Sequence, residues 1–356
     1  MEETVSVEEA VRVDGLRDRA AADEPDPPPP DYTRSRELMG TVFQITVVGT
    51  PPEEAEPAVR AAFEEMARLE DLLSEWRSDS EISRINDAAG DHAVDVSADT
   101  LAVVKAGLDV SRWSNGAFDM SWAAMRNLYD FQAEDPEVPS QDEIDERLAA
   151  VDWKAITVDD DQRTVFLERP GMVIGTGGIA KGYALDQAGE ILRDAGVESY
   201  MLFGGGQVQV RGSRGERPWR VGIQHPRSAD DYFAYLEASS GSISTSGDYE
   251  HAFFDDEGTR WHHILDPRTG RPARESRSVT VQAATGLYGD ALSTAAFVLG
   301  PQKAKAMFRD IPHRAEMVMV DPRCRVVSSP GILEHLRLTA ALEDDRRLPG
   351  CAPAPD

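Results

Sequence analysis

The sequence predicts an α+β, or mixed α/β, protein with mixed sheets packed by helices. Helix-spaced apolar residues and short apolar runs typical of strands follow one another along the 356-residue chain. The absence of regular βαβ repetition and of any internal repeat favours this class. Hydrophobic residues make up 41% of the chain and charged residues 28%, which is the composition of a globular protein.

Three regions are expected along the chain. Residues 1–38 are acidic and contain the run Asp26–Pro30, so they are predicted to form a flexible arm that ends in a stiff polyproline spacer. Residues 39–340 form the folded domain. Residues 341–356, a Pro-rich stretch, are predicted to be a disordered tail.

The domain is expected to open with a strand over 42–48 and a long amphipathic helix. Pro51 begins this helix, in which apolar residues recur every three or four positions, at Val59, Phe63, Met66, Leu69 and Leu73. The other elements predicted in this half are a helix over 101–113 ended by Gly116, a surface excursion over 133–145, and a β-hairpin of 156–158 with 164–167.

The second half is predicted to be richer in strands. Helices are expected over 179–195, 290–299 and 302–309. Strands are expected over 200–203, 208–210, 219–223, 233–238, 251–254, 260–265, 279–283, 317–320 and 325–327.

The charge of the chain narrows its range of partners. Acidic residues number 64 and basic residues 37, which gives a formal net charge of −27. Nucleic acid is therefore excluded as a main partner, because phosphate backbones are bound by patches of Lys and Arg. No apolar run approaches the roughly 18 residues of a membrane-spanning helix, so an integral membrane protein is not expected.

Two cysteines, Cys324 and Cys351, are too few for a disulfide framework or a cysteine zinc site. The N-terminus lacks the basic and apolar regions of an export signal, so the chain as written is expected to be cytoplasmic. A chain whose leader had been removed would look the same and would be extracytoplasmic.

The Gly-rich stretch Gly175–Gly182 follows an apolar run and opens a predicted helix. It fits the pattern G-x-G-x-x-A, but the acidic residue expected about 20 positions later in a dinucleotide-binding unit is missing. A P-loop is excluded because neither Ser nor Thr follows Lys181. Two interpretations remain: exposed amides and Lys181 hold an anion, or the stretch is a tight turn with a solvated lysine.

Asp290 and Thr294 are four positions apart in a predicted helix, so they share one face. A carboxylate and a hydroxyl suit a hard cation such as Mg²⁺, which takes one or two carboxylates and fills its shell with water and substrate phosphate. The alternative is structural, with Asp290 capping the helix and Thr294 bonding back to a carbonyl.

His262 and His263 precede the turn Asp266–Gly270. Adjacent residues on a strand point to opposite faces, so only one of the two histidines can enter a given cleft. A histidine beside a tight turn can act as a general acid or base, although a lone histidine is more often structural.

These stretches, in this order, resemble the ApbE family of flavin transferases, which use FAD as the donor of FMN. The resemblance covers about residues 39–335. It is carried by Met39–Thr41, Trp76–Ser83, Gly116–Asp119, Gly177–Asp186, Thr245–Glu250, His263–Gly270 and Asp290–Thr294.

The resemblance implies an ApbE-like, T-fold-related architecture and a set of site residues. FAD would contact Met39, Trp76, Ala117, Phe118, Asp119, Gly175, Lys181 and Ile264. Mg²⁺ would be held by Gly178, Asp290 and Thr294, with Ser293 adjacent. The catalytic residues would be His263 as the base and Asp290 as the metal ligand and rival base.

Two positions depart from the family's usual sequence. Gly175–Thr176 stands where Asp-Leu is usual, so the aspartate that helps to hold FAD is missing, unless a nearby acid substitutes for it. Leu128–Phe131 stands where Leu-Trp-Gly-Phe is common, which changes the pocket rim.

The reaction that the resemblance implies is cleavage of FAD and transfer of FMN to a Thr or Ser of an acceptor flavoprotein, with release of AMP. The acceptor would be a subunit of a redox membrane complex or a soluble reductase. The alternatives are an FAD pyrophosphatase and a non-catalytic FAD-binding protein. The sequence specifies neither the acceptor nor an oligomeric state.

Overall fold

The computed structural model describes residues 31–131, 133 and 136–352. The helices are Pro52–Leu73 (α1), Glu81–Asp87 (α2), Ala98–Ser114 (α3), Gln141–Leu148 (α4), Ala180–Asp194 (α5) and Gly286–Asp310 (α6). The strands are Asp31–Leu38 (β1), Thr41–Val48 (β2), Val94–Asp95 (β3), Ile156–Asp159 (β4), Thr164–Leu167 (β5), Tyr200–Gly204 (β6), Gln207–Arg211 (β7), Ser213–Arg214 (β8), Arg217–His225 (β9), Ser228–Ala238 (β10), Ser240–Gly247 (β11), Ala252–Phe254 (β12), Arg260–His262 (β13), Leu265–Asp266 (β14), Arg271–Pro272 (β15), Ser278–Ala283 (β16), Ala315–Val320 (β17), Val326–Ser328 (β18) and Leu336–Leu338 (β19).

A central sheet of eight strands organises the fold, in the order β1-β2-β6-β7-β11-β16-β17-β18. Each neighbouring pair in it is antiparallel. The helices lie between strands in the chain without forming parallel βαβ units, so the predicted α+β class is confirmed.

Helices α1, α3, α5 and α6 form a layer on one face of the central sheet. Pro at the first turn and Glu53 and Glu54 behind it favour the start of α1, whose apolar stripe, including Phe63, Met66 and Leu69, is buried. The same core takes in Ile45 from β2 and Phe297 from α6. This layer places the N-terminal ends of α5 and α6 beside the sheet.

A second sheet, in the order β19-β10-β9-β8, packs on the opposite face. Trp219 and Leu236 from this sheet are buried against Val208 and Val318 of the central sheet. Two hydrophobic layers therefore enclose the central sheet.

The prediction of a flexible N-terminal arm is wrong for its last eight residues, because Asp31–Leu38 forms β1. Most β1 side chains are polar and exposed, so apolar periodicity gives no strand signal. Backbone pairing with the full length of β2 and burial of Tyr32 and Leu38 hold the strand in place. The rest of the predicted arm, residues 1–30, lies outside the described residues.

The predicted disordered tail is also wrong for residues 341–352. Leu348 and Cys351 are buried, and Cys351 forms a disulfide with Cys324 across a Cα–Cα distance of 5.8 Å. The sequence analysis missed this bond because two cysteines 27 positions apart carry no pairing pattern. Residues 353–356 lie outside the described residues.

Strand β11, Ser240–Gly247, was also not predicted, because its Ser, Gly and Thr residues give no apolar alternation. The remaining differences are small shifts or missed short elements. Helix α6 begins at Gly286, four residues before the predicted start, and continues across a break at Gly300, whose φ is +72°. The strand predicted over 260–265 is interrupted at His263 and Ile264. Helices α2 and α4 were not predicted, since each is only two turns long and offers little periodicity.

Candidate active site

The candidate site is built around the close crossing of α5 and α6. A Cβ atom at Gly182 would lie 2.0 Å from the carbonyl oxygen of Gly286, so only glycine allows the two backbones to approach this closely. At the crossing, the Gly182 amide donates a hydrogen bond of 3.1 Å to Oδ2 of Asp290. The helix contact thereby brings the first turn of α5 to the Asp290 carboxylate.

Asp186 fixes the start of α6 at this crossing. Its two carboxylate oxygens accept hydrogen bonds from the amides of Gly286 and Leu287, at 2.7 and 2.8 Å. Burial raises the pKa of Asp186 to about 6, and the two amide donors oppose this effect. A carboxylate at a helix N-terminus stabilises the helix, so Asp186 has a structural role.

The Asp290 carboxylate is buried at the crossing and has no salt-bridge partner within 4.0 Å among the residues the structure describes. Burial raises its pKa, while the Lys181 ammonium and the Gly182 amide act in the opposite direction. Lys181 itself donates from Nζ to the carbonyl of Gly177 at 2.5 Å. The carboxylate is thus left without a close counter-charge.

Thr294, one turn after Asp290 in α6, faces the glycine stretch. A Cβ at Gly178 would lie 3.5 Å from Oγ1 of Thr294 and 3.3 Å from the Phe118 ring. Ser293 instead bonds to Ser246 of β11 at 2.8 Å and to the carbonyl of Asp290. Gly178, Asp290 and Thr294 therefore come together, and Ser293 lies next to them with its hydroxyl engaged elsewhere.

This arrangement fits magnesium better than a metal with an all-protein shell. Among the described residues, no three His, Cys, Asp or Glu side chains form a group that could hold a metal. The crossing offers one buried carboxylate without a close counter-charge and one hydroxyl, Asp290 and Thr294. Mg²⁺ accepts this small set because it retains waters and substrate oxygens in its shell.

The amides of the glycine-rich stretch are largely occupied, contrary to the expectation that they are exposed. The Thr176 amide donates to Oε2 of Glu75 at 2.8 Å. The amides of Ile179 and Ala180 donate to the Thr176 carbonyl, at 3.0 and 2.9 Å. The Lys181 side chain therefore remains as the positively charged group of this stretch.

The two adjacent histidines differ in their environments. His262 is buried, its Nε2 lies 2.9 Å from the Ala273 carbonyl, and its Nδ1 accepts from the Ile264 amide. His263 is partly exposed, and its enclosed Nδ1 has no hydrogen-bond partner among the described residues. His262 is therefore structural, while Nδ1 of His263 remains able to form a hydrogen bond.

The imidazole of His263 is uncharged at neutral pH. Burial is the main cause that lowers its pKa to about 3, and the charges of His251, His262 and Lys181 add to the effect. The His251 ring stands edge-on to it, with ring centroids 5.3 Å apart. A neutral imidazole of this kind can accept a proton.

The residues expected to contact FAD occupy different environments. Met39 lies in the β1–β2 turn with a φ of +49°, and its amide donates to Glu70. Trp76 is 71% exposed, with the Arg126 guanidinium 4.6 Å from its ring. Ile264 is buried and its backbone bonds to His262 and Ala273.

The loop before the 3₁₀ turn at Met120–Met125 places Phe118 against Gly178, with Ala117 buried beside it. Both oxygens of Asp119 are engaged, with the Ser121 amide and hydroxyl on one and the Trp153 amide on the other. Burial raises the pKa of Asp119 to about 6. The Asp119 carboxylate thus holds this loop together.

The sequence alone assigned no role to Glu75, and it included Ser246 only within the stretch Thr245–Glu250. Ser246 is on β11, and its hydroxyl lies between Ser293 and Thr294. Glu75 is 100 positions from Gly175, so no local pattern connects them; only the fold brings them together. A surface cavity of about 410 Å³ lined by Trp113, Lys303 and Ile311 contains none of the predicted site residues.

The fold is of the α+β class, and its crossing of α5 and α6 brings Gly178, Asp290 and Thr294 together. The model of the ApbE family matches residues 39–319. The chain belongs to the ApbE family.

Curated relatives cover most of the chain. A protein from Klebsiella pneumoniae (strain 342) named FAD:protein FMN transferase is 33% identical over 301 residues, which are 84% of this chain and 92% of the relative. A protein of the same name from Treponema pallidum (strain Nichols) is 31% identical over 328 residues, 87% of this chain and 90% of the relative.

Solved structures show the same fold. The ApbE protein from Thermotoga maritima MSB8 superposes with a TM-score of 0.78 at 33% identity, over 86% of this chain and 100% of that one. The flavin transferase ApbE from Vibrio cholerae gives a TM-score of 0.77 at 27% identity, again over 86% of this chain and 100% of that one.

Proposed function

We propose that this chain is a magnesium-dependent FAD:protein FMN transferase. The observation that carries the proposal is the meeting of Asp290, Thr294 and Gly178 at the α5–α6 crossing, with Lys181 in the adjacent turn. The names of the relatives and of the matching structures support flavin transfer. The substrate would be FAD, and the product a flavinylated acceptor protein.

The reaction exchanges the phosphoanhydride linkage of FAD for a phosphoester linkage to the acceptor. The hydroxyl oxygen of a Thr or Ser on the acceptor bonds to the phosphorus on the riboflavin side of FAD. The pyrophosphate P–O bond breaks, and AMP leaves with the bridging oxygen. Asp290, Thr294 and the Gly178 segment would hold Mg²⁺, which when bound neutralises phosphate charge.

His263 is the proposed base for the acceptor hydroxyl. It is uncharged before the substrate binds, so it can take the proton. The negative charge of a bound diphosphate raises the pKa of a neighbouring imidazole, which makes it a stronger base when the substrate is present. Lys181 supplies fixed positive potential to the same diphosphate. Asp290 is a poorer base because it is proposed to bind the metal.

We also propose an acceptor from the flavoprotein subunits of redox membrane complexes or soluble reductases.

The disulfide between Cys324 and Cys351 favours an oxidising, extracytoplasmic compartment for this chain. In the described part of the chain, no helix has the length and apolarity needed to cross a membrane.

The experiment that tests the proposed function combines the purified chain, FAD, Mg²⁺ and a candidate acceptor subunit. We expect AMP release and an acceptor mass increase equal to FMN minus water. Free FMN with AMP would indicate a pyrophosphatase instead, and FAD retained without AMP would indicate a binding protein. Asp310→Asn, an exposed change on the same helix as Asp290, is the matched control that should keep full activity.

A further inference from the structure

We propose that Glu75 is a substrate-binding residue that works with its neighbour Trp76. Its carboxylate accepts a hydrogen bond from a ring N–H or amino group of FAD, while Trp76 stacks on that ring. This inference rests on the proposed function, and it identifies a recognition residue that the sequence motifs do not include.

The first observation is the position of the carboxylate relative to Gly175. A Cβ at Gly175 would lie 2.2 Å from Oε2 of Glu75 and 2.9 Å from the Cβ of Ala123. A side chain at position 175 therefore requires the Glu75 carboxylate to move from its present position. A carboxylate on residue 175 would take the space that the Glu75 carboxylate fills, so either position can supply an acidic group to the same place.

The second observation is the electrostatic environment of Glu75, which is partly buried. Burial raises its pKa, while the Arg126 guanidinium, the Thr176 and Gly177 amides and the Lys181 ammonium all favour the charged form. Nη1 of Arg126 also donates to the Glu75 carbonyl at 2.6 Å. Hydrogen bonds from Arg126 and from the Thr176 amide thus fix the position of Glu75.

The third observation is the exposed aromatic surface beside this acceptor. Trp76 is 71% exposed, and Arg126, which bonds to the Glu75 carbonyl, lies against its ring. A large aromatic side chain held in place but open to solvent is typical of a binding surface. A flat surface next to a carboxylate suits a heteroaromatic ring with N–H donors, which both ring systems of FAD provide.

The test exchanges the acidic group between the two positions. FAD dissociation constants are measured by flavin fluorescence for wild type, Glu75→Ala, Gly175→Asp and the double variant, alongside the KM and kcat of AMP release and the unfolding temperature. We expect each single change to weaken FAD binding about 10-fold or more, since a hydrogen bond to a charged group is lost or blocked. The double variant should return to within about 3-fold of wild type, with kcat preserved.

Two further variants keep the test decisive. Glu75→Gln preserves the side-chain shape if alanine impairs folding, and it should weaken FAD binding without lowering the unfolding temperature. Asp79→Asn removes an exposed acid from the same segment and should leave the FAD dissociation constant unchanged.

The proposal is overturned if Glu75→Gln and Glu75→Ala bind FAD as wild type does, or if the double variant binds no better than the weaker single variant. A wild-type chain that binds FAD through Glu75 but transfers no FMN would instead overturn the proposed function and leave this inference intact.

Discussion

The α5–α6 crossing and the Glu75–Trp76 segment contribute to the site in contrasting ways. At the crossing, Gly182 and Gly286 let the two helix backbones approach closely, and the Asp290 side chain is buried. The Glu75–Trp76 segment is partly exposed and depends on side chains from distant positions, chiefly Arg126. In the proposed function, the crossing would serve the phosphate chemistry through closely packed backbones, and the segment would recognise a ring of FAD through side chains.

The largest expected effect is that of removing the carboxylate at the crossing. Asp290→Ala should lower the rate of AMP release by about 1000-fold or more. Any residual activity should no longer depend on magnesium. FAD binding through the Glu75–Trp76 segment should survive in part. Magnesium titrations of AMP release check this, and wild-type-like turnover in Asp290→Ala would remove Asp290 from the scheme.

The two histidines offer the next test because they are adjacent but differ in contacts. His263→Ala should lower transfer by about 10²- to 10⁴-fold, the usual value of general base assistance, with a near-normal unfolding temperature. His262→Ala removes two buried hydrogen bonds and should destabilise the fold by about 1–3 kcal/mol. Rate assays and urea unfolding of both variants distinguish the proposed base, His263, from the structural residue, His262. An equal loss of stability in the two variants would contradict this distinction.

Removing the exposed ring is expected to have a smaller effect. Trp76→Ala should weaken FAD binding by about 5- to 150-fold, the usual contribution of a base stacked on an aromatic side chain. The unfolding temperature should not change, because Trp76 is 71% exposed. Fluorescence titration of FAD gives the affinity. A Trp76→Tyr control should retain most of it, and an unaffected alanine variant would remove the ring from the pocket.

The smallest expected effect is a pH dependence of stability that belongs to His263. Its pKa is about 3 in the folded state and near 6.5 unfolded, so the unfolded chain takes up the proton first as the pH falls. The contribution of His263 to the free energy of unfolding is therefore fully present above about pH 6.5. It is lost as the pH falls from about 6.5 to 3, at up to about 1.4 kcal/mol per pH unit.

That pH dependence is measured as the difference between wild type and His263→Asn. The pKa values of Asp119 and Asp186 shift the other way: they are raised to about 6, so these two groups add stability as the pH falls below about 6. Their contributions cancel in the difference. Urea unfolding curves of both proteins are recorded at pH 7 and pH 5. Between these two pH values, wild type should lose more free energy of unfolding than His263→Asn. Equal losses would contradict the burial of a neutral His263.

The sequence singled out Asp290 and Thr294 at the crossing but not Glu75 in the segment, for a physical reason. Asp290 and Thr294 are one helical turn apart, so periodicity alone places them on one face. The long helices and most strands were predicted because their apolar faces are regular. Glu75 was not, because its partners at Gly175 and Thr176 lie 100 positions away and only the folded chain brings them together. Strand β1 was missed because backbone pairing, not apolar burial, carries it.

The most direct test of the account is a crystal of the chain with FAD and Mn²⁺ in place of Mg²⁺, examined by anomalous scattering. We predict one metal peak in contact with the Asp290 carboxylate and the FAD diphosphate. A peak elsewhere, or a diphosphate bound far from α6 with Asp290 still bonded only to Gly182, would contradict it.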